Sequence, residues 1–251
     1  MKNRFSIRNV AAFSIFLLLP LLLCFSFSAC KKDDATTPFT KTILTSDFNT
    51  ITINGVCDVY LVQDTFCGIT VRGFEKWVNT TTANVSDTNM TIETLHPGEF
   101  VHPSRENTTV YVHFKTLKRI NANEVCHIRT TAPLTGYEIG LVVTTKMVMA
   151  DLTLNCHVFY FWNNPNGTHM NLTGNVSELK LWCTGLSTID AKDLITDYAL
   201  VENGTQGDIS VHPMQTLEYS LTNTGNIYYY GNTPNIHPNA ITGKGKLINA
   251  H

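Results

Sequence analysis

Between residues 168 and 229 one five-residue pattern returns four times: a small residue, a polar one, an apolar one, any residue, and usually another apolar one. The copies are Thr168-His169-Met170-Asn171-Leu172, Ser187-Thr188-Ile189-Asp190-Ala191, Gly207-Asp208-Ile209-Ser210-Val211 and Gly225-Asn226-Ile227-Tyr228-Tyr229, spaced by 19, 20 and 18 residues. Period-2 alternation is a strand signature. It puts Met170, Ile189, Ile209 and Ile227 on one face with Leu172, Ala191, Val211 and Tyr229, and turns His169, Thr188, Asp208 and Asn226 to the other. Eight and six residues before the copies stand Tyr160 and Trp162, Leu179 and Leu181, Ala199 and Val201, Leu217 and Tyr219, which predicts a second strand in every unit. A unit of about 20 residues cannot bury its apolar face alone, so equivalent strands must stack rung on rung. The pattern predicts an all-β chain folded as a parallel β-helix, a β-solenoid. At one turn position Asn164, Cys183, Asn203 and Leu221 align, and stacked Asn side chains there can hydrogen bond along the axis.

Further copies lie upstream. Thr145-Lys146-Met147-Val148-Met149 fits, with Tyr137 and Ile139 before it, and so does Cys126-His127-Ile128-Arg129-Thr130. Cys57-Asp58-Val59-Tyr60-Leu61 is preceded by Phe48 and Ile51 as Cys126 is by Leu117 and Ile120, but 69 residues separate these two copies. The interval holds strand-like Ile69-Thr70-Val71, Met90-Thr91-Ile92 and Val110-Tyr111-Val112 with a loop around Pro97-Gly98 and Pro103, which predicts an irregular or antiparallel N-terminal layer. Gly231, Pro234 and Pro238 are expected to break the repeat, leaving residues 241–248 to cap the open end. A two-sheet sandwich also shows short alternating strands, but it needs no register match between every second strand at a step near 19 residues.

Composition agrees with strands and tight turns: 35 Thr, 23 Asn and 13 Phe against only 15% charged residues. The near-neutral balance offers no basic field for phosphates, so no nucleic-acid partner is expected. Lys2, Arg4 and Arg8 followed by the apolar run Val10 to Leu23, interrupted by Pro20, form a charged region and a short apolar region, the layout of a signal peptide. The run is shorter than the roughly 20 residues that span a bilayer. Phe27-Ser28-Ala29-Cys30 resembles the lipobox of bacterial lipoproteins, which would make Cys30 the lipidated first residue; Cys24, behind bulky Leu23, suits the cleavage pocket less well. Lys31-Lys32-Asp33-Asp34 resembles the signals that send Bacteroidetes lipoproteins to the outer face of the outer membrane, with Lys32, Asp33 and Asp34 carrying the likeness. An ordinary polar tether is the alternative, with the periplasmic face then open as the location. The expected division is a lipoprotein signal peptide at 1–29, a flexible tether at 30–44 and a β-solenoid at 45–251. Without residues 1–29 the chain keeps fifteen basic against twenty acidic residues, so acyl chains rather than charge would hold it to the membrane.

Asn54-Gly55-Val56-Cys57-Asp58-Val59-Tyr60-Leu61 near the start and Gly225-Asn226-Ile227-Tyr228-Tyr229 with the following Tyr230-Gly231-Asn232 near the end are similar to segments of the putative auto-transporter adhesin, head GIN domain family. The resemblance spans roughly residues 45 to 248. It implies a right-handed β-helix on a bacterial surface or envelope lipoprotein with an adhesin-like role. Where the family often carries Ser-Gly-Ala-Ser-Asp, this chain has Asn123-Glu124-Val125-Cys126-His127 and Thr184-Gly185-Leu186-Ser187-Thr188.

Candidate chemistry is sparse. Cys57 and Cys126 share a column at rung spacing, which is inside the Cα range a disulfide needs, but buried free thiols are the preferred reading. Cys126-His127 and Cys156-His157 supply metal-ligand types, yet neighbours on a strand point to opposite faces, so no metal site is expected and no cofactor either. Asp190 and Asp208 are the one carboxylate pair on neighbouring rungs, in offset columns, and no nucleophile elbow or phosphate loop occurs. The chain therefore reads as a non-enzyme. Tyr228 and Tyr230, with Tyr229 inward, share an outer face with the Asp208 and Asn226 column, and this is the candidate ligand face for a glycan or protein; shielding of a terminal rung is the alternative role for the tyrosines. Trp162 and Trp182 fall at different offsets, one expected in the core and one on the surface. The functional reading is a lipid-anchored, adhesin-like binding protein. A structural envelope lipoprotein without a ligand and a β-helix polysaccharide lyase or hydrolase are the alternatives. Oligomeric state is not legible.

Overall fold

The computed structural model describes residues 38–94, 108–145, 147–164 and 167–250. The chain is nearly all sheet, stacked into a β-solenoid of about six turns. Its regular part is five long strands, β10 (Leu134–Val143), β11 (Met147–Asn163), β12 (Gly167–Gly185), β13 (Thr188–Thr205) and β14 (Ile209–Leu221), each parallel to the next. Each of β11 to β13 bends around the core and pairs along nearly its whole length. The rungs thus build a first face around residues 147–151, 167–171 and 188–191, a short second face around 154–156, 174–176 and 194–196, and a third face around 160–163, 180–184 and 199–203. One corner shows why the chain can turn so sharply. Gly174 has φ +105, and a Cβ there would lie 2.1 Å from the Leu154 carbonyl oxygen of the rung beneath.

The predicted register holds in the middle of the stack. Met170 pairs with Ile189, Ile189 with Ile209 and Ile209 with Ile227, and all four are buried. Leu179–Ala199–Leu217 and Leu181–Val201–Tyr219 form the matching inward columns on the third face. The small residue at the start of each copy also has a steric cause: a Cβ on Gly207 would meet the Ser187 oxygen at 2.1 Å, one on Gly225 the Gly207 oxygen at 1.9 Å, and one on Gly245 the Gly225 oxygen at 2.0 Å.

Upstream, the expected offsets slip. Phe159 and Phe161, rather than Tyr160 and Trp162, align with Leu179 and Leu181 and enter the core. The turn between Phe161 and Thr168 is one residue longer than the one between Leu181 and Ser187, and a one-residue slip flips every side chain. For the same reason the inward amide is Asn163, not Asn164, and the amides do not ladder with one another. Asn163 Nδ2 donates to the Thr184 oxygen at 3.1 Å, and Asn203 Nδ2 donates to the Gly225 and Asn226 oxygens at 3.1 and 3.2 Å. Met147 and Met149 stand exposed while Val148 and Ala150 are buried, because Val148 rather than Thr145 aligns with Thr168, and that odd offset reverses the faces. Tyr137 is 75% exposed; Ile139 and Leu141 occupy the core columns instead.

The 69-residue interval folds back. β2 (Thr50–Gly55) and β3 (Cys57–Gln63) form one rung; β8 (Arg119–Ala122) and β9 (Cys126–Thr130) stack directly on one side of it, pairing Ile51 with Ile120 and Cys57 with Cys126. β6 (Asn89–Thr94) and β7 (Thr109–Phe114) pair parallel on its other side. The rung order is therefore β6 with β7, then residues 50–63, then 119–130, which differs from chain order. Beyond it, β4 (Gly68–Gly73) runs antiparallel to β7, β1 (Phe39–Leu44) antiparallel to β4, and β5 (Thr82–Ser86) antiparallel to β6, giving the predicted antiparallel N-terminal layer. The short helix α1 (Glu75–Thr80) buries Trp77 and Val78 there. Strand β1 lies within the stretch expected as tether, since its Ile43 packs on the core. The Pro97 and Pro103 loop lies outside the described residues. At the other end, Pro234 and Pro238 do not break the stack: β16 (Asn235–Ile241) pairs with β14, and β17 (Leu247–Asn249) with β15 (Ile227–Tyr229), adding one more parallel rung.

Candidate functional site

An outward polar column runs the length of the first face. Rung by rung it carries Tyr111, Tyr60, Arg129, Asp151, Asn171, Asp190, Ser210 and Tyr228. At its N-terminal end the rings of Tyr60 and Tyr111 stack at 5.1 Å, with Arg72 5.0 Å over one and Arg129 5.4 Å over the other. The ring faces are thus filled by one another and by guanidinium groups. Arg129 also donates to Asp58 Oδ1 at 3.2 Å and contacts His127 Nδ1 at 2.6 Å. A guanidinium only donates, so Nδ1 accepts and Nε2–H is the group facing Asp151 Oδ2 at 2.5 Å. Asn171 donates to the other Asp151 oxygen at 2.7 Å. Burial alone would raise the Asp151 pKa; the hydrogen bonds from Asn171 and His127 and the nearby charge of Arg129 outweigh it and hold the carboxyl below its ordinary value.

The predicted ligand residues lie at the opposite end of this face. Tyr229 packs against the core, and half-buried Tyr228 sits between Ser210 and Ile248 of the flanking rungs, so the tyrosines do not form the terminal rung. Asp208 Oδ1 accepts the Asn226 backbone N–H at 2.8 Å, and Asn226 Oδ1 accepts the Lys246 N–H at 3.0 Å. These two side chains bind successive rungs to each other. Asp190 pairs with Lys192 at 3.1 Å, so the two acids considered as a pair have separate partners. Cys126 and Cys156 point inward, while His127 faces Asp151 and the His157 ring lies 4.8 Å from that of Tyr137, tilted by 37°. The described cysteine thiols are free; burial pushes Cys126 up to about 12 and Cys156 up to about 11. Among the described residues no three His, Cys, Asp or Glu side chains converge as for a metal ion. Cys30, Lys32, Asp33 and Asp34 lie outside the described residues.

The third face corrects the tryptophan expectation. Trp162 and Trp182 are cross-rung partners in one outward column, followed by Glu202 and Ser220. Trp162 is 41% exposed and Trp182 half-buried. A cleft of about 400 Å³ opens beside Trp182, lined also by Glu202, Ser220, Thr222 and Asn239. The sequence reading missed it because the one-residue slip at Trp162 hid the alignment.

Fold and faces define a class: a β-solenoid with a buried apolar interior and long outward polar faces. A family model for the putative auto-transporter adhesin, head GIN domain, matches residues 47–233, and the chain belongs to that family. Solved structures agree on the fold. A putative adhesin from Bacteroides fragilis superposes with TM-score 0.76 at 18% identity, covering 86% of this chain and 98% of that one. A putative adhesin from Parabacteroides merdae gives 0.60 at 20% identity with the same coverage. A protein from Parabacteroides distasonis described as a putative lipid binding protein gives 0.55 at 17% identity, again covering 86% and 98%. No curated protein matches the chain. The family and these structures bear binding rather than enzymatic descriptions.

Proposed function

We propose that this protein is a lipid-anchored adhesin of the outer membrane, held by acyl chains on Cys30 and displaying its solenoid faces to a surface glycan or protein without catalysis. Family membership supports a binding role at the cell surface or envelope. The observation that carries the reading is the division of labour along each rung: the core columns are fully buried, while the outward columns present Thr, Asn, Tyr and Trp side chains over about six turns. No helix among the described residues is long and apolar enough to cross a membrane. Lys32, Asp33 and Asp34 would direct the anchor to the outer leaflet. The test is to probe arrays of glycans and of extracellular proteins with the full-length protein as its cells export it. Saturable binding to a member of either array supports the reading; blank arrays with folded protein overturn it.

A further inference from the structure

The Trp162–Trp182 column and the cleft beside it stand apart from the candidate ligand face at Tyr228. We propose that they form a binding site for a neutral polysaccharide chain; the proposal rests on the adhesin reading and names its ligand class. Two cross-rung indoles project from paired strands whose backbones lie about 4.8 Å apart, and among the described residues neither makes a hydrogen bond, ion pair or ring contact that would give it a structural task. The Tyr60–Tyr111 pair differs, since its faces are already covered. Unengaged indoles at the surface, one exposed and one half-buried, are suited to stack against the C–H faces of sugar rings, combining an apolar surface with an N–H donor.

The polar groups around the cleft fit the same ligand. Its charged lining residue is Glu202, which has no ion-pair partner among the described residues, so the cleft offers two acceptor oxygens to sugar hydroxyls and repels a carboxylated or sulfated chain. Ser220 adds a hydroxyl. Asn239 is delivered by an irregularity: the β14–β16 register pairs Tyr219 with Pro238 and Ser220 with Ala240, skipping Asn239, and such a bulge re-aims a side chain. Gly204 keeps the floor open, because a Cβ there would stand 3.1 Å from the Cys183 oxygen and 3.2 Å from Thr222 Oγ1. A volume of about 400 Å³ is the scale of a small-ligand pocket, whereas a stable protein partner needs about 800 Å² per side.

Native electrophoresis of the full-length protein through gels cast with hydroxyethylcellulose, galactomannan or polygalacturonate tests this. Retardation by at least one neutral polymer, and not by polygalacturonate, is expected. Trp182→Ala and Trp162→Ala should each weaken it about tenfold, and Glu202→Gln several-fold, while replacement of the exposed Tyr137 by Ala leaves it unchanged. Circular dichroism confirms folding, and Trp182→Phe, which keeps a ring, should retain part of the retardation; if an alanine variant fails to fold, Trp182→Phe and Glu202→Gln decide. No retardation by either neutral polymer, equal retardation by polygalacturonate, or retardation indifferent to Trp182 and Glu202 overturns the proposal. The adhesin reading falls separately, only if the glycan and protein arrays are blank as well.

Discussion

Replacing Ile209 by Asp probes the stacking directly. Ile209 is fully buried between Ile189 and Ile227 in the inward column of the first face. Loss of its side-chain packing alone costs about 2–5 kcal/mol, by analogy with truncation of buried aliphatic residues. The carboxyl must in addition stay neutral in the apolar interior. Holding a group of ordinary pKa about 3.9 protonated at pH 7 costs about 4 kcal/mol at 1.36 kcal/mol per unit. The total of about 6 kcal/mol or more rivals the whole stability of a typical domain. Ser210→Asp is the matched control, one residue away and facing out. It places a carboxylate opposite Asp190, where Lys192 already sits, so its cost should stay within about 1 kcal/mol. Urea unfolding followed by circular dichroism, with hydrogen exchange to localise the loss, compares the two. Equal midpoints for both variants would refute the alternation on which the fold argument depends.

Gly225→Ala should lower the unfolding midpoint far more than Gly136→Ala, because its Cβ would meet a backbone oxygen at 1.9 Å whereas the nearest atoms at Gly136 stand 3.6 Å away; differential scanning calorimetry decides. Asn203→Ala should cost about 1–3 kcal/mol by orphaning the turn groups its amide serves, measured by urea denaturation. The native Asp151 pKa is depressed, so its contribution to stability is present above the unfolded value near 3.9 and is lost as pH falls through the native one. Asn171→Ala should therefore raise the Asp151 pKa in an NMR titration, and an unchanged value would remove Asn171 from that account. Cys30→Ser should abolish labelling by a fatty-acid analogue and release the protein from the membrane fraction; persistent labelling would place the anchor elsewhere.

How far the fold was legible depends on how constant the turns are. From Thr168 to Tyr229 the turns vary little, and the alternation of Met170, Ile189, Ile209 and Ile227 located the core correctly. One extra residue before Thr168 was enough to exchange Trp162 for Phe161, since both are aromatic and hydrophobicity cannot tell them apart. Met147 and Met149 were misplaced against Val148 and Ala150 for the same reason. The inverted rung order around Cys57 and Cys126 had no local signature: adjacency of residues 69 positions apart is set by where the intervening hairpins pack. Thus the similarity of the two Cys copies was readable, while the placement of β6 and β7 outside them was not. The Tyr60–Tyr111 stack depends on that placement and escaped notice with it. The cleft at Trp182 needed both the corrected register and the bulge at Asn239.

Hydroxyl-radical footprinting with and without a saturating bound polysaccharide tests most directly that an outward sheet face is the binding surface. Trp162, Trp182, Tyr137 and Met147 are oxidisable reporters outside the core. The account predicts protection of Trp162 and Trp182, adjacent in the stack though twenty positions apart in the chain, with Tyr137 and Met147 unchanged. Protection confined to Tyr137 or Met147, or no protection at saturating ligand, would contradict it.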